Sequence, residues 1–331
     1  MKDSGAAVAH IFNSAVAAAA IGAAWEAGIL DVLNQNRVLN LADFAEEHGL
    51  HLRSTAAVVR ALAAVGVVET DGGGEVVPAE HFAEVYRTRS FFHWMTRGSG
   101  ELFRRMPELL PERARHGDYY QRDSAAIAFA CREISAFSYD PWFWKAIDRI
   151  EREPAVVADL GCGSGERLIQ LLTRLPHAEA LGIDVAEPAL AEAAVATAEA
   201  GMADRTTLVV EDVLTMAPRP EFDRVELLTC FMMGHDFWPR TQCVRTLRRL
   251  RELFPRAERF LLGDATRTVG VADRDLPTFT LGFEVAHELM GIQLPTVEEW
   301  ESVFEEGGWV VVGKHWIDVA VGEVIFELEP R

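Results

Sequence analysis

Two histidines and an acid are the residues in this chain best suited to chemistry. His235 and Asp236 follow Leu227-Leu228-Thr229-Cys230-Phe231-Met232-Met233-Gly234, an apolar run that reads as a strand. In α/β sheets, ligands bind beyond the carboxyl ends of such strands. A neutral imidazole there can accept a proton near neutral pH, which makes His235 a candidate general base. His287 is the one histidine in the helical pattern Phe283-Glu284-Val285-Ala286-His287-Glu288-Leu289-Met290-Gly291. Alone, it reads as a core histidine. With His235 and Asp236 it makes a second pattern, because two His and one carboxylate form a facial triad with open positions on an octahedral metal. Neighbours such as His235 and Asp236 can share a metal only on irregular backbone, which a strand-to-helix turn supplies. Iron and zinc both take such ligands.

A second constellation lies upstream in Val156-Val157-Ala158-Asp159-Leu160-Gly161-Cys162-Gly163-Ser164-Gly165-Glu166-Arg167-Leu168. β-branched residues run into an acid and three alternate glycines, and a helical pattern follows. Gly161, Gly163 and Gly165 let the backbone turn sharply and approach a ligand closely. The spacing is not that of a dinucleotide fingerprint, which would put its third glycine at position 166. Asp159 is badly placed for a pyrophosphate and well placed for a cationic, amine-bearing ligand. Leu181-Gly182-Ile183-Asp184 ends a second strand in an acid suited to ribose hydroxyls.

These residues need a scaffold, and from about residue 150 the pattern alternates strand and helix, as a doubly wound sheet requires. Strands are predicted at 155–160, 179–183, 206–210, 224–229 and 259–263. A terminal pair at 309–313 and 322–328, joined by the short link 318–322, should be antiparallel. Before this domain, 85–149 is a helical section rich in aromatics; Phe92, Trp94 and Phe129 within it, and Phe283 far downstream, are candidates to line an acceptor pocket. Residues 1–84 read as an Ala-rich helix broken near Gly22 and Gly28, two shorter helices, and a hairpin turning at Asp71-Gly72-Gly73-Gly74. That is a winged-helix order.

Composition excludes several classes. The chain of 331 residues carries a formal charge of −19, and its first 80 residues hold four Lys/Arg against ten Asp/Glu. Nucleic-acid surfaces need phosphate-neutralising cations, so no nucleic-acid partner is expected. An apolar dimerisation module fits the amino-terminal region better than a DNA-reading one, and a homodimer through it is the expectation. Cys131, Cys162, Cys230 and Cys243 show no paired spacing and read as reduced intracellular thiols. The longest uninterrupted apolar run, Ala15 to Trp25, is too short to span a bilayer. No membrane partner and a cytoplasmic location are the expectations.

The glycine run and Asp184 resemble the first two motifs of class I S-adenosylmethionine (SAM) methyltransferases, and the helix–hairpin order resembles the amino-terminal domain of the plant-type O-methyltransferases. The fold this implies is α/β, a Rossmann-like SAM domain (150–331) behind an all-α/winged-helix dimerisation domain (1–84) and a helical substrate-lid region (85–149). Glu211 and Asp212, closing the third strand, fall where that superfamily contacts adenine, and Val213, Cys230 and Phe231 complete the implied cofactor set with Asp159, Gly161, Gly163, Gly165 and Asp184. Further runs carry a narrower resemblance: Ser99-Gly100-Glu101-Leu102-Phe103-Arg104-Arg105-Met106-Pro107, Tyr120-Gln121-Arg122-Asp123, Phe231 to Pro239, Gly263-Asp264-Ala265-Thr266-Arg267-Thr268-Val269-Gly270 and the His287 segment. These resemble the metal-dependent α-keto acid C-methyltransferases over nearly the whole chain. The resemblance implies a non-haem metal, iron first and zinc second, on His235, Asp236 and His287. It also implies Arg122 as a planar fork for the substrate carboxylate, against the simpler alternative of an ion pair with Asp118 or Asp123. An O-methyltransferase using His235 as base, and a SAM-responsive regulator built on the winged helix, are the competing readings.

Overall fold

The computed structural model describes residues 4–117, 119–317 and 322–331, so Asp118 and most of the 318–322 link lie outside the described residues. The chain divides into two compact units between Ile134 and Ser135. Residues 85–134 therefore belong to the first unit and 135–149 to the second.

The first unit begins with a helix over Ser4–Glu26, followed by helices Ile29–Asn36, Leu41–Glu47 and Leu52–Ala63. The long helix runs through Gly22 without the expected break. A Cβ there would stand 3.1 Å from Thr96 Oγ1, so glycine permits a close helix approach, and the chain breaks only at Gly28 with φ +80. This helix is long and apolar enough to cross a bilayer by length and composition, which a search for uninterrupted runs does not reveal. Its second half instead packs inward through Ala17, Ala20, Ile21, Ala24 and Trp25, while Val8, Ile11, Phe12 and Val16 stay exposed. Asn40 caps the third helix by accepting from the backbone N–H groups of Ala42 and Asp43 at 3.0 and 3.1 Å. The hairpin strands β2 (Val68–Thr70) and β3 (Glu75–Pro78) form a three-stranded sheet with β1 (Leu39–Asn40), in the order β1-β3-β2. Asp71 pins their turn by accepting from Gly73 N at 2.8 Å.

The second unit is a seven-stranded sheet: β4 (Val156–Leu160), β5 (Glu179–Asp184), β6 (Thr206–Val210), β7 (Leu227–Phe231), β8 (Arg259–Asp264), β9 (Trp309–Trp316) and β10 (Val324–Pro330). The order is β6-β5-β4-β7-β8-β10-β9, with the first five strands parallel and β10 antiparallel to both its neighbours. The fourth strand starts later than expected because Pro220–Arg224 forms a 3-10 turn. All five residues of β4 are buried, as a strand covered on both faces must be. The helix Asp140–Ile147, opened by Pro141, packs Phe143, Ala146 and Ile147 against Leu227, Leu261 and Ile325. The parallel strands end together at Leu160, Asp184, Val210, Phe231 and Asp264. Because β10 runs the other way, its start at Val324 pairs with Asp264 at that same edge.

Candidate active site

The glycine loop is built as its sequence demands. Gly161, Gly163 and Gly165 have φ of +73, +52 and +83, where side chains are strained. A Cβ at Gly161 would meet Met233 Sδ at 2.6 Å, and one at Gly165 would meet Ala193 Cβ at 3.0 Å. Gly163 N–H donates to Asp184 Oδ2 at 2.9 Å, and Ala186 N–H donates to Oδ1 at 2.8 Å, so the second acid is locked to the loop. Asp159 is buried, and its Oδ1 accepts from Thr229 Oγ1 at 2.6 Å. Burial pushes its carboxyl up to about 6, with the charge of Asp184 adding to the rise while the Thr229 bond and Arg167 oppose it.

The remaining cofactor residues are less uniform. Asp212 holds its own turn, accepting from Leu214 N at 2.9 Å and Thr215 Oγ1 at 3.2 Å, and Glu211 lies 3.5 Å from Arg219. Val213 is buried in the sheet core. Cys230 is fully buried, and burial raises its thiol far above the usual range, so this residue can meet a ligand only through its backbone. Burial likewise pushes the Cys162 thiol up and removes it as a nucleophile. The Phe231 ring turns inward, 5.6 Å from Tyr139 and 5.3 Å from Phe143 between centroids.

His235 and His287 come together. Their rings are both buried, perpendicular at 89°, with centroids 4.9 Å apart. His235 sits in the 3-10 turn Gly234–Phe237 after β7. Its Nδ1 faces Asp264 Oδ1 at 2.7 Å, and its backbone N–H donates to Asp264 Oδ2 at 2.5 Å. Gly234 makes this possible, since a Cβ there would stand 2.7 Å from Asp264 Oδ2. His287 lies on the helix Thr280–Met290, with Nδ1 2.8 Å from the Phe283 carbonyl oxygen. A carbonyl only accepts, so His287 carries its proton on Nδ1 and its lone pair on Nε2. The Asp264 carboxylate imposes the same tautomer on His235. Met232 (φ +55) and Phe279 (φ +81) flank this pair, and strained backbone of that kind clusters at functional sites.

Asp236 differs from its neighbour: its side chain is exposed. Among the described residues no three His, Cys, Asp or Glu side chains form a ready-made metal cage. Chemically, the donors present fit two imidazole ligands, with both Nδ1 atoms tied as in metal-bound histidines. Phe283 lies against His287 with centroids 4.0 Å apart. Phe92, Trp94 and Phe129 belong to the first unit, where Trp94 is core and Phe129 packs 4.6 Å from Trp25. Arg122 is half-buried in the loop before the helix Ser124–Ile134 and makes no ion pair among the described residues. Asp123, its proposed partner, instead caps that helix through Ala126 N at 3.0 Å.

Two residues that the motifs passed over matter as much as those they found. Asp264 ends a parallel strand in an acid, the signal that marked Asp159 and Asp184. Arg167 places a cation on the buried face of the helix Glu166–Arg174, beside Leu168, Leu171 and Leu172.

Such a site, at the carboxyl edge of this sheet order, is that of a class I SAM-dependent methyltransferase, and the chain belongs to that family. Residues 157–254 match the methyltransferase domain family. The chain is 49% identical over 330 residues to Methyltransferase ungE' of Aspergillus campestris (strain IBT 28561), covering 97% of this chain and 96% of that one. It is 25% identical over 307 residues to an indolepyruvate C-methyltransferase of Streptomyces griseus, covering 92% and 89%. Among solved structures it superposes on mitomycin 7-O-methyltransferase MmcR with a TM-score of 0.68, at 18% identity, over 99% and 98% of the two chains. The fold is thus that of the plant-type O-methyltransferases, with SAM as cofactor.

Proposed function

We propose that this enzyme methylates carbon, at the β position of phenylpyruvate or a similar 2-oxo acid, in secondary-metabolite formation of a nonproteinogenic amino acid. The observation that carries the reading is the anchored imidazole pair, His235 on Asp264 and His287 on the Phe283 carbonyl, each with its lone pair on Nε2. The C-methyltransferase relative named for indolepyruvate, itself a 2-oxo acid, supports the same chemistry. His235 and His287, with Asp236 as third donor, would hold iron or zinc, which when bound supplies Lewis-acid polarisation of a carbonyl. The resemblance implies Arg122, a residue of the first unit, as the planar fork for the substrate carboxylate. A base in the site removes the β-proton, and the electron pair left on carbon attacks the sulfonium methyl. The methyl–sulfur bond breaks, and S-adenosylhomocysteine (SAH) leaves with the 3-methyl-2-oxo acid as product. Because SAM arrives activated, positioning is most of the remaining task.

The Asp264–His235 pair favours a second reading, since a carboxylate-oriented imidazole is a competent base without a metal. On that reading the acceptor is a phenol and the product an ether. Metal analysis of the purified protein beside His287→Ala separates the two. The C-methyltransferase reading expects about one iron or zinc per chain, lost with activity in the variant. A protein that stays metal-free after incubation with either ion, and an active His287→Ala, would overturn it. The exposed Val8, Ile11, Phe12 and Val16 support a dimer through the first unit.

A further inference from the structure

The cofactor's amino-acid end is a zwitterion, and its carboxylate must enter a loop surrounded by acid. Asp159, Asp184 and Glu166 flank the glycines, and a bare carboxylate there would be repelled. Arg167 is the cation whose charge acts on buried Asp159. It stands in the first turn of the helix that follows Gly165 and is itself only 8% exposed. Its guanidinium lies 4.2 Å over the Phe143 ring and 4.7 Å over the Phe231 ring, and Phe231 ends β7. Asp140 and Gln170 hold it there. Arg167 Nη1 donates to Gln170 Oε1 at 2.8 Å and stands 2.8 Å from Asp140 Oδ1, while Gln170 Nε2 donates to Asp140 Oδ2 at 2.9 Å.

A buried ion pair of this kind is a poor stabiliser by itself, because removing both charges from water costs about as much as their attraction returns. The pair here is also incomplete, since among the described residues Asp140 Oδ1 has no hydrogen-bond partner despite its nearness to Arg167. A clamped, ring-sandwiched guanidinium with a loosely satisfied counter-ion is suited to receiving a second carboxylate.

We propose that Arg167, positioned by Asp140, Gln170, Phe143 and Phe231, binds the carboxylate of the methionyl end of SAM. The inference rests on the cofactor assignment and not on the identity of the methyl acceptor. It is tested by titrating SAH and methylthioadenosine, which lacks the amino-acid end, into the wild type, Arg167→Gln and Arg167→Lys in a calorimeter. Arg167→Gln should weaken SAH about ten-fold or more, the effect of a lost charged hydrogen bond, and leave methylthioadenosine within about two-fold. Arg167→Lys should fall between the two. Equal weakening of both ligands, or of neither, overturns the proposal. Should Arg167→Gln fail to fold, decarboxylated SAH is titrated into the wild type: binding about ten-fold weaker than SAH supports the subsite, and equal binding overturns it. Failure of the wild type to bind SAH at all would instead tell against the cofactor.

Discussion

Asp264 grips His235 at two points, its Oδ2 accepting the backbone N–H at 2.5 Å and its Oδ1 facing the ring Nδ1 at 2.7 Å. One carboxylate thus fixes both the turn and the tautomer. Asp264→Asn can still accept the backbone hydrogen bond through its oxygen, but it then presents an NH2 group to Nδ1. The ring must accept there and carry its proton on Nε2, where it can neither bind a metal nor act as base. Turnover should fall about 100-fold or more, with SAH affinity unchanged by calorimetry. Wild-type turnover in this variant would contradict the assigned tautomer.

Gly165→Ala tests the loop. At φ +83, with Ala193 Cβ only 3.0 Å from an added methyl, the substitution combines backbone strain with a clash. Stability should drop by about 2 kcal/mol in urea unfolding, and SAH should bind more weakly because Gly163 and Asp184 move with the loop. A variant as stable as the wild type would show that the turn tolerates a side chain.

Glu323 gives the protein a pH signature. It is fully buried beside the start of β10. Burial, and next the charge of Asp264, push its carboxyl from the ordinary range up to about 8, with Ser138 opposing. A folded value raised above the unfolded one means the folded protein holds the extra proton. That stability is complete below the unfolded value and is lost as pH rises through about 8. Between pH 6.5 and 8.5, where Asp159 with its value of about 6 is already ionised, the wild type should lose on the order of 1 kcal/mol per pH unit relative to Glu323→Gln. Parallel stability curves for the two proteins in chemical denaturation would refute the assignment.

Ile11 and Phe12 are 70% and 71% exposed on an apolar helix. If a second copy covers them, Ile11→Asp with Phe12→Asp should convert a dimer to a monomer in light scattering, without loss of helix by circular dichroism. An unchanged mass would place the contact elsewhere.

Much of this was legible in the sequence for physical reasons. Strands buried on both faces leave continuous apolar runs, so β4 and β5 were found within a residue, and the glycines announced a turn that only they can make. The β7 start lies later than the pattern suggests because Arg224-Val225-Glu226-Leu227 alternates polar and apolar like a strand, although Arg224 still belongs to the turn Pro220–Arg224. The long first helix concealed its apolarity behind His10 and Asn13. What periodicity cannot show is pairing across the sheet: that Asp264 faces His235, or that β10 brings Glu323 beside it, depends on strand order and not on neighbours in the chain. Likewise the resemblance brings Cys230 and Asp236 to the site, but the sequence does not show that the Cys230 side chain is sealed in the core while that of Asp236 is exposed.

The most direct test of the account is where the methyl group goes. The enzyme, supplied with iron or zinc, is incubated with phenylpyruvate and SAM carrying a labelled methyl, and the product is read by mass spectrometry and NMR. The account predicts label on the carbon next to the keto group, as a 3-methyl-2-oxo acid. No transfer to phenylpyruvate or other 2-oxo acids, with label appearing instead on the oxygen of a phenol, would contradict it and establish His235 as the base of an O-methyltransferase.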